Sequence, residues 1–225
     1  MSQHSLRFPG ESAAYRAARD ELLAAEMELR RKVEEIASLR RKLPAGGAVP
    51  EDYVFEEAGA KGGRVRLSEL FARPASLVLY SFMYGSDMAR PCPMCTAMLD
   101  SLDGTARHAG QRINLAVVAK APPDRIRAFA GERGWRHLRL LSSAGNSYNR
   151  DYHGETAAGA QIPCLNVFAR RDGRTHHVYA TELLFGAAEP RQNHRHVDMI
   201  WPLWNLLDFT PEGRGSDWYP ALSYG

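Results

Sequence analysis

Cys92 and Cys95, in the stretch ARPCPMCTAMLD at 89–100, are two of only three cysteines in a chain of 225 residues. Thiols at this spacing serve as a redox couple, as half of a metal site, or as nothing beyond small side chains. An apolar run precedes them and helix-forming residues come after, which places them at a strand-to-helix junction. Cys92 would sit among the unpaired N–H groups at the positive end of a helix dipole, where thiolate is favoured over thiol. Cys95, one turn further in, is close enough to attack a mixed disulfide formed at Cys92. Position therefore predicts the roles: Cys92 attacks and Cys95 resolves. Pro93 suits the first helical turn because its missing N–H has no helical partner there, and Met94 adds an adaptable apolar contact beside the sulfurs. Asp87 and Arg90, in the loop before the pair, are candidates for tuning it.

A metal site would need two further ligands, and there is no second CxxC. The histidines on offer are His153, His194, His196 and the adjacent His176 and His177, which on a strand would face opposite ways. Metal binding is the minor alternative. No metal and no cofactor is expected, and most of these histidines read as solvated or hydrogen-bonded surface rings.

Those thiols must be positioned by something, and composition bounds what. With 44% hydrophobic residues the chain can bury one sizeable core plus an appendage. The net charge of +3 comes from 25 Arg and 4 Lys against 26 acids, scattered rather than gathered into a stripe, so no nucleic-acid partner is expected. The N-terminus lacks the pattern of an export signal, and no apolar run approaches about 18 residues. A cytoplasmic protein with no membrane partner is expected. In a reducing compartment a close CxxC reads as catalytic or metal-binding rather than as a structural staple.

Residues 12–43 hold neither Gly nor Pro and predict one long helix. Tyr15, Leu22, Leu29, Ile36 and Leu43 recur every seven residues, with Ala18, Ala25 and Leu39 on the adjoining line and Lys32 interrupting it. A rod of roughly 45 Å is longer than a small domain needs. It either lies on its own domain or pairs protomers as a homodimer arm. The Pro/Gly-rich joint at 43–52 then separates an arm, 1–45, from a main domain, 46–225.

In the main domain, strands are expected within DYVFEEAG and SLVLYSFMYG, INLAVVAK and LRLLSS, with helices in CTAMLDSLDGTARHAG and PPDRIRAFAGERG. A hairpin turning at Asp172-Gly173 comes next, then a last helix in HVDMIWPLWNLLDF with Pro202 kinking or splitting it. The alternation predicts an α/β fold with a mainly parallel sheet covered on both faces and an antiparallel hairpin near its edge. Trp201 and Trp204, three apart, read as core. The irregular segment 208–225 reads as a wrap anchored by Trp218, Tyr219 and Tyr224.

A second clue is QIPCLNVF, where Pro163 stands 68 residues beyond Cys95 and directly before a buried strand. An X-Pro bond adopts cis at a cost of only about 0.5–1 kcal/mol. Strand, CxxC and helix, then Ile-Pro before a strand, then hairpin and helix, together resemble the thioredoxin fold with a helix-strand insertion between the CxxC helix and the cis-Pro strand. YVFEEAG, LYSFMYG, CPMCTAMLDSLDG, VVAKAP, RGWRHLRLLSS, NRDYHGE and PLWNLLDFTPEGRGSDWYPALSY narrow this. Across nearly the whole chain they resemble a bacterial family of uncharacterised thioredoxin-like proteins, described as predicted dithiol-disulfide oxidoreductases.

The resemblance implies thiol-disulfide exchange at Cys92 and Cys95 with a protein or small-thiol partner, Ile162, Pro163, Pro93 and Met94 forming the docking edge. A non-catalytic interaction module, dimerised through the N-terminal helix, is the alternative. Pro91 and Pro93-Met94 replace the Trp-Cys-Gly-Pro-Cys of working thioredoxins, and Tyr80 or Ser81 stands where thioredoxin carries a buried acid. The Pro-x-x-x-Thr/Ser-x-x-Cys context of peroxiredoxins is absent. Cys164, after Pro163, is either a third redox thiol or a buried small apolar residue.

Overall fold

The computed structural model describes residues 4–72, 75–187, 189–190, 199–215 and 218–224. Contacts divide the chain into two units, Met1–Pro44 and Ala45–Gly225.

The first unit is built on α1 (Ala13–Lys42). Ser12 caps it, its Oγ accepting the Tyr15 N–H at 3.1 Å, and Pro44 prevents its continuation. Arg16 forms ion pairs with Glu11 and Asp20 at 3.5 and 3.0 Å. Three bases, Arg40, Arg41 and Lys42, fill the last turn and complement the helix dipole. Tyr15, Leu22, Leu29, Ile36 and Leu43 are each at least 38% exposed, so the heptad line is an open apolar stripe.

In the second unit the strands are β1 (Val54–Glu57), β2 (Arg64–Arg66), β3 (Ser76–Phe82), β4 (Asn114–Ala119), β5 (Leu140–Ser142), β6 (Cys164–Arg171) and β7 (Arg174–Ala180). The helices are α2 (Pro93–Ala109), α3 (Pro123–Arg133), α4 (Tyr148–Asp151) and α5 (Pro202–Leu207). One sheet takes the order β2-β1-β5-β4-β3-β6-β7. It is mixed rather than mainly parallel: β4 runs parallel to β3 and β5, while the flanking pairs are antiparallel. Periodicity reports a buried strand but not its direction, and both flanks here are built from hairpins. A central β3-α2-β4 unit, with the β6-β7 hairpin and a last helix after it, is a thioredoxin-like fold, with β5 and α4 added before β6.

The β6-β7 turn has Asp172 at φ 50 and Gly173 at φ 75, the two left-handed positions of a tight hairpin turn. The joint after α1 pairs with the outer edge of β7, Val49 N–H reaching the Thr175 carbonyl at 2.9 Å and His177 N–H the Gly47 carbonyl at 3.0 Å. Gly46 is required here, because a Cβ would collide with the His177 carbonyl.

Alternation along β3 sorts the core into two clusters. Tyr80 and Phe82 face one side with residues of α2, α3 and α5; Leu77 and Leu79 face the other with Tyr53, Phe55, Tyr148 and Phe168. Trp201 and Trp204 are both buried, their rings 6.1 Å apart. Pro202 opens α5 instead of kinking a longer helix, since proline without an N–H fits the first turn; residues 196–198 of that expected helix lie outside the described residues.

Two carboxylates tie α2 to the end of α3 and the segment beyond it. Asp100 accepts from Arg133 and from Trp135 Nε1 at 2.8 Å, and Asp103 Oδ1 accepts the N–H groups of Arg136, His137 and Leu138 at 2.8–3.0 Å. Arg133 also donates to the Leu222 carbonyl at 2.9 Å and to the Tyr224 hydroxyl at 2.6 Å. Trp218 meets Trp204 edge-on at 6.0 Å, yet Trp218, Tyr219 and Tyr224 stay about half exposed or more. The C-terminal segment is therefore fastened by Arg133, by the buried Pro220 and by Leu222 packed against the core, while its rings stay open.

Candidate active site

β3 ends at Phe82, and the loop that leaves it returns to its own start: Cys92 N–H donates to the Met83 carbonyl at 3.0 Å. Cys92 is the N-cap of α2 and Pro93 its first residue, as the missing N–H of proline favours. The Cys92 carbonyl accepts from Thr96 twice, from N–H at 3.0 Å and from Oγ1 at 2.9 Å. Its thiol makes no capping hydrogen bond, so the expected seat among the first N–H groups of the helix is not a direct contact. Cys92 is half-buried; Cys95 is wholly buried, in a cluster with Tyr80, Phe82, Met98, Trp201 and Trp204. Neither is in a disulfide. Of the two β3 residues considered as stand-ins for a buried acid, Tyr80 shares the core cluster of Cys95, while Ser81 alternates to the opposite face.

The loop before the pair is shaped from α3. Arg125 donates to the Ser86 carbonyl at 2.6 Å and to the Met88 carbonyl, and its guanidinium lies 5.0 Å from the centre of the Tyr84 ring. Arg90 turns to α3, pairing with Glu132 at 2.7 Å and stacking on Phe129 at 5.0 Å. Asp87 folds back against Gly85, where a Cβ would come within 2.8 Å of its carboxylate. Arg90 thus ties the loop to α3.

Among the described residues no peptide bond is cis, so Ile162–Pro163 is trans, against expectation. Ile162 N–H is bound by the Gly154 carbonyl at 2.9 Å and β6 begins at the next residue but one, so the chain runs extended into the strand and no tight turn selects the less stable isomer. Ser81 pairs with Cys164; continuing that register by one residue sets Pro163 beside Phe82, the end of β3 from which the loop to Cys92 departs. Leu165 packs against the cluster that holds Cys95, and Pro163 shares its side of the strand. Pro93 is exposed and Pro163 and Ile162 partly so, but Met94 is 1% exposed and turned into the core. Its place in the first turn of α2 points inward, so it supports the pair from beneath and does not face a partner.

Cys164 lies on the other face of the sheet, wholly buried, its sulfur accepting from Asn166 Nδ2 at 3.6 Å and Thr181 Oγ1 at 3.8 Å. Strand alternation sends it away from Cys92 and Cys95. His176 and His177 diverge, His176 Nδ1 to the Gly46 carbonyl at 3.1 Å and His177 Nε2 to Asn166 Oδ1 at 2.8 Å. Among the described residues no three His, Cys, Asp or Glu side chains group as metal ligands; His194 and His196 lie outside them. No described helix is long and apolar enough to cross a membrane.

One family description matches residues 6–224, almost the whole chain. The chain belongs to the bacterial family of unknown function DUF899. No curated protein matches it. Solved structures similar to this family member include the peroxidoxin BcpB of Mycobacterium tuberculosis, at 18% identity over 61% of this chain and 84% of that one, TM-score 0.44. The reduced 2-Cys peroxiredoxin of Plasmodium vivax is 15% identical over 72% and 97%, TM-score 0.47. The exposed lipoprotein thioredoxin of Streptococcus pneumoniae is 18% identical over 60% and 91%, TM-score 0.42.

Sequence reasoning did not find Arg125 or Thr96. An arginine in the first turn of a helix and a threonine four residues after a cysteine carry no signal of their own; only packing α3 against the loop gives Arg125 its carbonyls.

Proposed function

We propose that this protein exchanges a Cys92–Cys95 dithiol and disulfide with a protein or low-molecular-weight thiol partner in a reducing, cytoplasmic setting. The observation that supports this is a contrast in access: Cys92 is half-buried at the N-cap of α2, and Cys95 is fully buried one turn behind it. In the reductive direction the Cys92 thiolate attacks a partner disulfide, forming a Cys92–partner bond and releasing one partner thiolate. Cys95 then attacks the Cys92 sulfur and its proton goes to the second departing thiolate. The partner gains two electrons and the Cys92–Cys95 disulfide remains, to be reduced by a thiol donor. Oxidation of a partner is the reverse. Pro163, Ile162 and the exposed Pro93 are the proposed docking edge for a partner at Cys92.

Quantitative alkylation with intact-mass detection across a glutathione redox series tests this on wild type and Cys92→Ser. Two thiols should be lost and recovered together in the wild type and not in the variant. If both remain reduced and slow to alkylate throughout, the oxidoreductase reading falls.

The open apolar stripe of α1 favours a second reading, an interaction module that dimerises through that helix. In that reading the module is non-catalytic, so thiols that cycle in the redox series exclude it, and dimerisation is read separately by sedimentation.

A further inference from the structure

Behind the sheet, on the face opposite α2, lies a cavity of about 440 Å³ between the end of α4 and the β6-β7 hairpin, within the range of small-molecule sites. Its walls are aromatic. The Tyr152 and His177 rings stand 5.1 Å apart at 57°, and the His153 and Phe185 rings 6.2 Å apart at 68°. His153 is held at φ 55, a conformation that side chains other than glycine seldom adopt, and this turn sets its ring against Phe185. Asn166, Ala180 and the buried Cys164 also line it; the carboxylates there are Asp151 and Glu182, and among the described residues no Lys or Arg takes part.

Among the described lining residues, Asp151 and Glu182 are the charged groups, and both are acidic. Hydrogen bonds from Ser147 and from Tyr53, with an ion pair to the exposed Arg150 at 3.3 Å, hold the Asp151 carboxyl below its ordinary range, so it is ionised. Burial keeps the His177 imidazole neutral by pushing its pKa down, and its Nε2 is committed to Asn166. Among the described lining residues an anion would meet two carboxylates and no Lys or Arg. A bare metal ion would lack a ligand set, since among the described residues no such group forms. Ring faces attract a cation electrostatically, and apolar walls take up the hydrocarbon attached to it.

We propose that this cavity binds a small organic cation, an alkyl- or arylalkylammonium, with its charge between Asp151 and Glu182 and its hydrocarbon against Tyr152, His177 and Phe185. The site is separate from the cysteine pair and stands or falls without it.

The test titrates the full chain with 2-phenylethylammonium by calorimetry and by chemical shifts, using 2-phenylethanol and phenylacetate as neutral and anionic molecules of similar size. The ammonium should bind saturably, with shifts at Tyr152 and His177, the alcohol about five- to tenfold more weakly, and phenylacetate not at all. Glu182→Gln, at an exposed position, should weaken the ammonium several-fold and leave the thermal midpoint and Cys92 alkylation unchanged. Equal binding of ammonium and alcohol, shifts away from the cavity, or no saturation at millimolar ammonium overturns the proposal.

Discussion

Arg125, in the first turn of α3, donates to the backbone carbonyl of Met88 in the loop that delivers Cys92 to α2. A second donation to Ser86 and the stacking on Tyr84 make one guanidinium the clasp of that loop. Arg125→Ala should cost about 1–2 kcal/mol, since charge-assisted hydrogen bonds are lost at a partly exposed site. It should also raise amide exchange across 84–91. Arg125→Lys, with a point charge in place of a planar fork, should recover less than half of the protection. Hydrogen exchange on the three proteins checks this; unchanged protection in the alanine variant would remove Arg125 from the account of the site.

The unequal burial of the two cysteines predicts unequal costs of replacement. Cys95→Ser puts a hydroxyl into an apolar cluster and should destabilise by about 1–3 kcal/mol, whereas Cys92→Ser, half-buried at a helix N-cap that favours serine, should be near neutral. Cys95→Ser should also accumulate the mixed disulfide at Cys92, because nothing resolves it. Urea midpoints, and intact mass after exposure to an oxidised small thiol, read both effects. An adduct retained on Cys95 in the Cys92→Ser protein and none in the reverse case would exchange the assigned roles.

His177 supplies a pH dependence. Burial lowers its folded pKa below the ordinary 6.5, so on acidification the unfolded chain takes up this proton first. The stability it carries is complete above 6.5 and falls away as the pH drops from there through the lower folded value. Wild-type denaturation midpoints should therefore hold above about pH 6.5 and decline as the pH falls below it. His177→Gln, which can still donate to Asn166, should flatten that decline. An equal slope in both proteins would show that another group carries it.

The heptad line of α1 predicts self-association. Five side chains open to solvent at a seven-residue repeat suit a helical partner of the same period. Leu22→Glu with Leu29→Glu should convert a dimer to a monomer in sedimentation equilibrium without altering the melting of the main unit. A monomeric wild type would retire the pairing reading.

Much of the fold was legible in the residues because it is local physics. The heptad spacing and absence of Gly and Pro marked α1, Asp172-Gly173 marked the hairpin turn, and Cys92-Pro93 marked the start of α2, each decided by one segment's own backbone preferences. Periodicity also identified the buried strands. It could not orient them, because a strand buried on both faces looks alike in parallel and antiparallel company; pairing decided that the sheet is mixed.

What only tertiary structure decided is which side chains share a space. The sequence alone determined that two thiols stand one turn apart at a helix start, and left Cys164 open between a third redox thiol and a core residue. The register Ser81 to Cys164 settles its place, since one step along a strand reverses the face and puts it behind the sheet. Met94 turned inward and Ile162–Pro163 stayed trans for similar reasons of packing and extended pairing. Arg125 and the aromatic cavity were invisible in the sequence because their parts come from different elements, and nothing local records that folding will bring them together.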